Sequence, residues 1–412
     1  MAPPLPIGVV GAGIIGVACA RALQRAGHRV LLVDPAPPGS LCSAGNAGHI
    51  AIDHIRPLAR PEVLRAVPAM LLRPLGPLTL RWSGLPAMLP WLRHFAAASR
   101  PGRVEAGTTA LAGLLATARA DWETELGLSG LASILRQQGA LNVFETEAGQ
   151  AAALAETPVL ARFGIRTRDL SPDEVLALLP GLRKKPAGGR IFTDAAHVLN
   201  PYRLARALAE KFVVEGGGLL ARPVTGFRRE GGRIAALTLP QGEQPVSGLV
   251  LASGIASAGL ARQLGVHLPL TAERGYHVML APGGPDFALP TTFNERGFVA
   301  TPMEMGTRLA GTVEFGAGGR PPNWRRAEVL ARHVQDLYGA APGIAERWSG
   351  DRPTLPDYLP ALGRLPGLEN AVVATGHQHL GLTLAATSAR LVAALFGGGP
   401  APALAAFDPG RF

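Results

Sequence analysis

Gly11, Gly13 and Gly16 stand in the spacing G-x-G-x-x-G, and an acid, Asp34, closes the segment that they open. Residues of these types can hold a pyrophosphate and a ribose. The first glycine permits a tight turn, the second lets the backbone approach phosphate, and the third lets a helix pack on a strand. A helix starting there offers free N–H groups and a partial positive charge. Asp34 can accept hydrogen bonds from a ribose 2′-OH. The flanking residues supply the elements needed. Ile7, Val9 and Val10 form an apolar strand. Ala18, Leu23 and Ala26 continue at helical spacing until Gly27, and Val30, Leu31, Leu32 and Val33 form a second strand. A cleaved leader is disfavoured, because no Lys or Arg precedes the apolar run. Arg21, Arg25, His28 and Arg29 interrupt it, so a membrane span is disfavoured too.

The next stretch, PAPPGSLCSAGNAGHIAIDH, is rich in Gly, Pro, Ser and Asn and reads as a loop. A nicotinamide-binding domain would continue promptly into another strand and helix. Here small residues at Ser43, Ala44, Gly45, Ala47 and Gly48 let a second backbone segment approach a cofactor. Near the C-terminus, a strand at 371–374, a turn with Gly376 and Gly381 and a helix from about Leu382 aim another positive helix end at an electron-rich group. In a flavin that group is the N1–C2=O edge. Residues 222–254 alternate apolar and polar around Gly-Gly and Gln-Gly turns, which predicts a small antiparallel sheet feeding a strand at 248–252 and a helix near Ser257. The expected fold is α/β (α+β). A split Rossmann-like FAD-binding domain takes 1–55, 195–265 and 350–412, and an antiparallel-sheet substrate domain with a helical insertion takes 56–194 and 266–349.

The chain has 412 residues, 47% hydrophobic and 17% charged, which suits a compact protein of two or three domains. Its net charge of +10 comes from scattered arginines, with Lys only at 184, 185 and 211. That pattern disfavours a nucleic-acid footprint. Cys19 and Cys42 lack partners at metal-ligand spacing, so no metal site is expected and a reducing, cytoplasmic setting is the default.

With these residues in view, the chain resembles the FAD-dependent D-amino-acid oxidase superfamily. The likeness rests on VGAGIIG (10–16), SAGNAGH (43–49), NPYRLARALAEKF (200–212), PVTGF (223–227), VLASG (250–254), RPTLPDYLPALG (352–363) and GHQHLGLTLAATSARLVAAL (376–395). GNAGHI and GLTLA resemble the D-amino-acid dehydrogenase branch, and ERGYH at 273–277 is similar to dehydrogenases of hydroxyproline catabolism. The resemblance implies non-covalent FAD, since no Cys follows Cys42. It places Ala12, Ile14 and Ile15 along the pyrophosphate, and Asp34 with Pro35 at the adenosine ribose. Ser43, Ala44, Asn46, Ala47 and Gly48 would pass the pyrophosphate and flavin. Val224 would contact adenine, with Ala252 and Gly254 lining the same site. Gly376, Leu380, Gly381, Leu382 and Thr383 would cover the flavin pyrimidine edge.

The resemblance also implies that Arg352 holds a substrate carboxylate, for which a guanidinium offers two parallel bonds. Oxidation at Cα further needs a neutral amine and a Cα–H aimed at the flavin. His49 could orient the amine or take its proton, or be a polar loop residue. Tyr276 and His277 lie on one expected strand, so only one can face the flavin; Tyr276 is preferred, with a buried structural tyrosine as the equal alternative. His377 or His379 could reach the pocket, with capping of the helix entry as the alternative. The expected reaction is oxidation of a D-amino acid or cyclic imino acid, of the D-proline or cis-4-hydroxy-D-proline type, to an imine. Quinone or O2 would be the acceptor. The alternatives are a glycine- or sarcosine-type oxidase, a nicotinamide-dependent dehydrogenase and a subunit that keeps FAD only for structure.

Residues 60–104 are apolar, Pro-broken and basic, with Trp82 and Trp91. They are expected to pack as short helices on the substrate domain, with peripheral contact to the inner membrane as the alternative. Helices are expected at 105–125 and 321–340 and a strand at 307–315; regular structure is not expected in GGGPAPALAAF near the C-terminus.

Overall fold

The computed structural model describes residues 4–71, 75–339, 343–398 and 404–412. A six-stranded sheet gathers strands far apart in sequence. Its order is Gly218–Leu220, Val30–Val33, Ile7–Val10, Gly248–Leu251, Ala371–Thr375 and Ala361–Arg364. The first five are parallel and the last is antiparallel. These strands are short, apolar and largely buried, as a sheet covered on both faces requires. A three-stranded antiparallel sheet (Gly226–Glu230, Arg233–Leu239, Gly242–Pro245) stands where the Gly-Gly and Gln-Gly turns place it.

The helix Ile14–Arg25 packs on the helix Gly381–Phe396 in one core. A 29-residue helix, Pro101–Ser129, covers the second of them. It runs beyond the expected 105–125 because Pro101 suits its first turn and Gly130, at φ 71°, stops it. Polar contacts fix this cluster. Trp122 Nε1 donates to Leu382 O at 2.8 Å, and buried Arg21 Nε donates to Glu125 Oε1 at 2.9 Å. The segment Gln378–Phe396 is long and apolar enough to cross a membrane, but 67% of its apolar window is buried within the protein.

The larger sheet has nine strands. Ile344–Thr354 lies at one end, followed by Thr271–Leu280, Gly306–Phe315, Phe298–Met303 and Thr291–Phe293, then three strands from 140–192. Leu78–Leu80 pairs beside Gly306–Phe315. The helix Arg325–Tyr338 packs on one face, with Ala327, Leu330 and Val334 in the core beneath. One boundary expectation is corrected. The strand Ile344–Thr354 belongs to this sheet throughout, so a division at 350 cuts it, and Arg352 stands on the large sheet. Ladder hydrogen bonds across the whole strand, not composition, decide where it belongs.

Residues 61–71 and 85–98 are helices joined by a short strand and a turn. Met88, Trp91 and Phe95 bury their side chains against Phe315 and Tyr358, while residues 72–74 lie outside the described residues. In the C-terminal tract, 399–403 also lie outside them, and Ala405–Phe407 forms one 3-10 turn.

Candidate active site

A cavity of about 430 Å³ opens where the first strand, the Gly-rich turn, the 36–46 loop and the strand at 344–354 converge. Gly11, Ala12, Gly13, Ile14, Ile15, Asp34, Ser43, Asn46, Ala252, Gly254, His377, Gly381 and Leu382 line it, so much of the expected cofactor set meets in one place. Gly11 has φ 107°, and a Cβ there would run into the Ala252 carbonyl. A Cβ on Gly16 would strike the Gly11 carbonyl, so that glycine serves helix packing. Ser43 Oγ accepts from Ile14 N at 2.9 Å, which ties the loop to the helix start. The Asp34 carboxylate accepts from Ala12 N at 2.7 Å and Ala36 N at 2.8 Å. It braces the turn, and further lone pairs remain on its two oxygens.

The remaining expected cofactor residues stand around this cavity. Pro35 follows Asp34 directly, beside Ala36 and Pro37 of the lining. Ala44 O and Asn46 O accept from buried Arg308 Nη1 at 2.9 and 2.5 Å, and Ala47 completes the stretch held by that clamp. Gly48 turns the chain at φ 76°, its N–H donating to Asn46 Oδ1 at 2.8 Å. Gly376, at φ 77°, makes the turn before the last helix, where a side chain would strike Leu355. Leu380 is buried in the core. Thr383 Oγ1 accepts from Ala51 N at 3.1 Å, joining the last helix to the loop strand. Val224 packs at the edge of a core cluster, outside the cavity lining.

Three strand neighbours meet the 41–48 loop from the large sheet. His277 Nδ1 lies 3.2 Å from Gly45 O, and its ring stacks on Trp348 with centroids 5.1 Å apart. Burial, then the Arg308 charge, lowers the His277 pKa to about 3, so the ring is neutral and donates to the carbonyl. Arg308, its own pKa pushed down to about 10 by burial, is the third neighbour. Tyr276 is the correction. It turns to the opposite face, where its hydroxyl donates to Glu314 Oε2 at 2.6 Å and accepts from Asn323 N at 3.1 Å. Alternation along the strand turns His277, not Tyr276, toward the 41–48 loop.

Arg352 pairs in register with Glu273, and its guanidinium lies over Gly275, where a side chain would collide with it. Arg352 Nη1 donates to Glu273 Oε1 at 3.2 Å. Buried Glu273 also accepts from Thr354 Oγ1 at 3.0 Å and Tyr358 OH at 3.3 Å. The carboxylate therefore orients the guanidinium, whose remaining N–H groups stay available. The neighbours Gly350, Asp351 and Pro353 line the cavity.

His377 Nε2 bonds Ser388 Oγ at 2.9 Å, and burial lowers its pKa to about 3. It secures the start of the last helix while lining the cavity. His49 sits on a short strand paired with 196–198. Its Nε2 is buried without a partner, and burial takes its pKa down to about 4 against the raising effect of Asp53. Sequence reasoning missed Trp348, Arg308 and Gln378. Gln378 lines the cavity at φ 46°, and its Nε2 donates to the carbonyl of Tyr358, itself at φ 58°. Two non-glycine residues in this region store backbone strain beside the cavity. The glycines at 45 and 350 were the available signal for Trp348, because only their lack of Cβ makes room for its indole.

A glycine cradle on a helix N-terminus, a second helix end facing it and a cavity between two sheets fit a flavin adenine dinucleotide, and define a flavin-dependent oxidoreductase. The chain belongs to the DAO family, described as FAD dependent oxidoreductase, which matches residues 7–395. This membership decides for flavin over nicotinamide. A D-amino-acid oxidase of Bradyrhizobium diazoefficiens is 33% identical, covering 98% of each chain. A D-amino acid dehydrogenase of Paramagnetospirillum magneticum is 32% identical over 95% of each. In fold, the chain is similar to glycine oxidase from Geobacillus kaustophilus (TM-score 0.77, 23% identity, 99% of each chain). It is also similar to L-proline dehydrogenase from P. horikoshii (TM-score 0.76, 18% identity, 100% of this chain and 98% of that one).

Proposed function

We propose that the protein oxidises a D-amino acid or cyclic imino acid at Cα, giving an imine. Arg352 carries this proposal: a guanidinium oriented by a buried acid and laid over a glycine, beside the cofactor cavity. The names of the relatives at 33% and 32% identity agree with a D-amino-acid substrate. Bound FAD, held without a covalent link, supplies the hydride acceptor. The protein's part is to anchor the carboxylate, shed water and align the Cα–H, so positioning provides most of the acceleration. The Trp348 indole, flat against His277 and lining the cavity, gives a substrate ring an apolar wall.

The test is anaerobic bleaching of the ~450 nm flavin band with D-proline, cis-4-hydroxy-D-proline, D-alanine, sarcosine and glycine. Bleaching by the first three is expected; bleaching by glycine and sarcosine alone would point to the amine-oxidase alternative. The electron acceptor in this reading is a quinone or O2, and the oxidase name of one relative favours O2.

We further propose peripheral contact with the inner membrane from the cytoplasmic side. Trp82 and Leu89 are 72% and 48% exposed, and exposed Arg65, Arg93, Arg100 and Arg103 surround them in sequence. An apolar, basic face of this kind suits anionic lipid. Sedimentation with anionic but not zwitterionic vesicles, lost in Trp82→Ser, is expected; equal recovery with both vesicle types would refute it.

A further inference from the structure

Two histidines outside the cofactor cradle meet across the molecule. His54 follows the His49–Ile50 strand, and His379 lies in the turn before the last helix, next to Gln378 of the cavity wall. His54 Nδ1 is 3.1 Å from His379 Nε2, with ring centroids 5.2 Å apart. The outer member is open to water, the His54 side chain being 45% exposed. Its Nε2 lies 3.7 Å from Asp53 Oδ2, and the other Asp53 oxygen is buried without a partner among the described residues. The inner member is close enough to Arg352 to feel its charge. Burial, His54, Arg352 and His49 together hold the His379 pKa well below its ordinary value. The other titratable groups facing the pair are His49, with His197 behind it on the paired strand, and Asp53.

Two imidazoles joined by one hydrogen bond must differ in role, one donating and one accepting. A proton arriving at the second nitrogen of His379 can leave from Nε2 to His54 Nδ1, while the Nε2 proton of His54 passes to water beside Asp53. A ring that resists keeping a charge passes a proton on instead of storing it.

We propose that His379 and His54 form a proton exit, carrying the ammonium proton of the substrate from the site beside Arg352 to solvent. The proposal rests on the amino-acid oxidation proposed above. The N–H bond breaks and its proton leaves by the two rings. The Cα–H bond then breaks with its electron pair passing to the flavin, the two-electron oxidant, and the nitrogen lone pair forms C=N. One proton leaves by the pair per turnover. Both histidines act on the chemistry through proton removal, and His54 acts only through His379.

The test uses the FAD-loaded full chain. D-Proline is mixed anaerobically in weak buffer with phenol red, and flavin bleaching and dye response are followed together. In His54→Ala, both are expected to slow by about 100-fold, with FAD content unchanged and the loss reversed by added imidazole. Rates and pH profile equal to the parent, or a loss that imidazole leaves untouched, would overturn the exit. A second readout needs no turnover: 15N NMR of the resting holoprotein, where His379→Gln should change the tautomer of His54. An unchanged His54 overturns the pairing itself. If the parent flavin is bleached by no amino acid tried, the substrate reading falls and the source of the proton with it, whereas the NMR result still judges the pair.

Discussion

The cofactor cradle and the face of the large sheet opposite it are built by different means. The cradle is made of backbone. Gly11 and Gly16 are needed because a side chain would strike a carbonyl, and Asp34 acts through two main-chain N–H groups. The opposite face is made of side chains whose direction depends on strand register: His277 on Gly45, Arg308 on Ala44 and Asn46, and Arg352 on Glu273. A cradle specified by missing atoms leaves a mark in local spacing. A face specified by which way each residue points leaves none until partners are paired.

The sharpest break in this comparison is Gly11→Ala. The position has φ 107°, and the new methyl meets the Ala252 carbonyl. Strain of ~1–3 kcal/mol at such a backbone, plus the clash, should weaken FAD binding by about 100-fold or more. Titration of the apoprotein with FAD, followed by fluorescence, measures it; unchanged affinity would separate the cradle from the glycine motif.

Arg352→Lys probes the opposite face. Loss of charged, paired hydrogen bonds of ~1.5–3 kcal/mol should raise KM roughly 10- to 100-fold. FAD content should not change, because the cradle does not use this residue. A variant that loses flavin but keeps KM would reverse the division of labour argued for the two regions.

Acid should act on both regions through their buried histidines. His277 and His377 have folded pKa values lowered to about 3, and His49 and His197 to about 4, chiefly by burial. The folded state keeps these rings neutral, whereas the unfolded chain protonates them near pH ~6.5. Their stabilisation is therefore present above that pH and falls as pH drops toward the folded values, by up to ~1.4 kcal/mol per pH unit for each ring. Urea midpoints measured between pH 7 and pH 5 should decline. His277→Gln should flatten the slope, and a flat parent profile would contradict the burial account.

The smallest effect is expected at Tyr276→Phe. Two hydrogen bonds to Glu314 and Asn323 are lost, with a stability cost of ~1–3 kcal/mol and a Tm lowered by a few degrees. KM and the bleaching rate should stay within error of the parent. A kinetic defect as large as that of Arg352→Lys would return Tyr276 to the site.

Much of the cradle was legible beforehand. The strand, turn and helix at 7–25, the strand at 30–33 and the helix after Gly381 follow from local spacing, with apolar runs ended by glycine. The split sheet was legible because each piece carries its own signal. Other features were not. Tyr276 and His277 are adjacent in one apolar strand, and nothing within ERGYHVML says which faces the loop. The strand through Arg352 is half polar, so composition did not assign it to the large sheet. His54 and His379 lie at distant points in the chain and share no motif, and Trp348 is marked only by glycines whose purpose appears once the indole lies on them.

What the sequence determined by itself is the nucleotide cradle, because steric exclusion at Gly11 and Gly16 and the start of a helix act over a few residues. What only the tertiary structure decided is which side chains meet across it: the Glu273–Arg352 pair, the His277–Trp348 stack and the His54–His379 contact. The first two depend on strand register, where a one-residue change would turn each side chain to the other face, and the third on packing between a loop and a turn far apart in the chain.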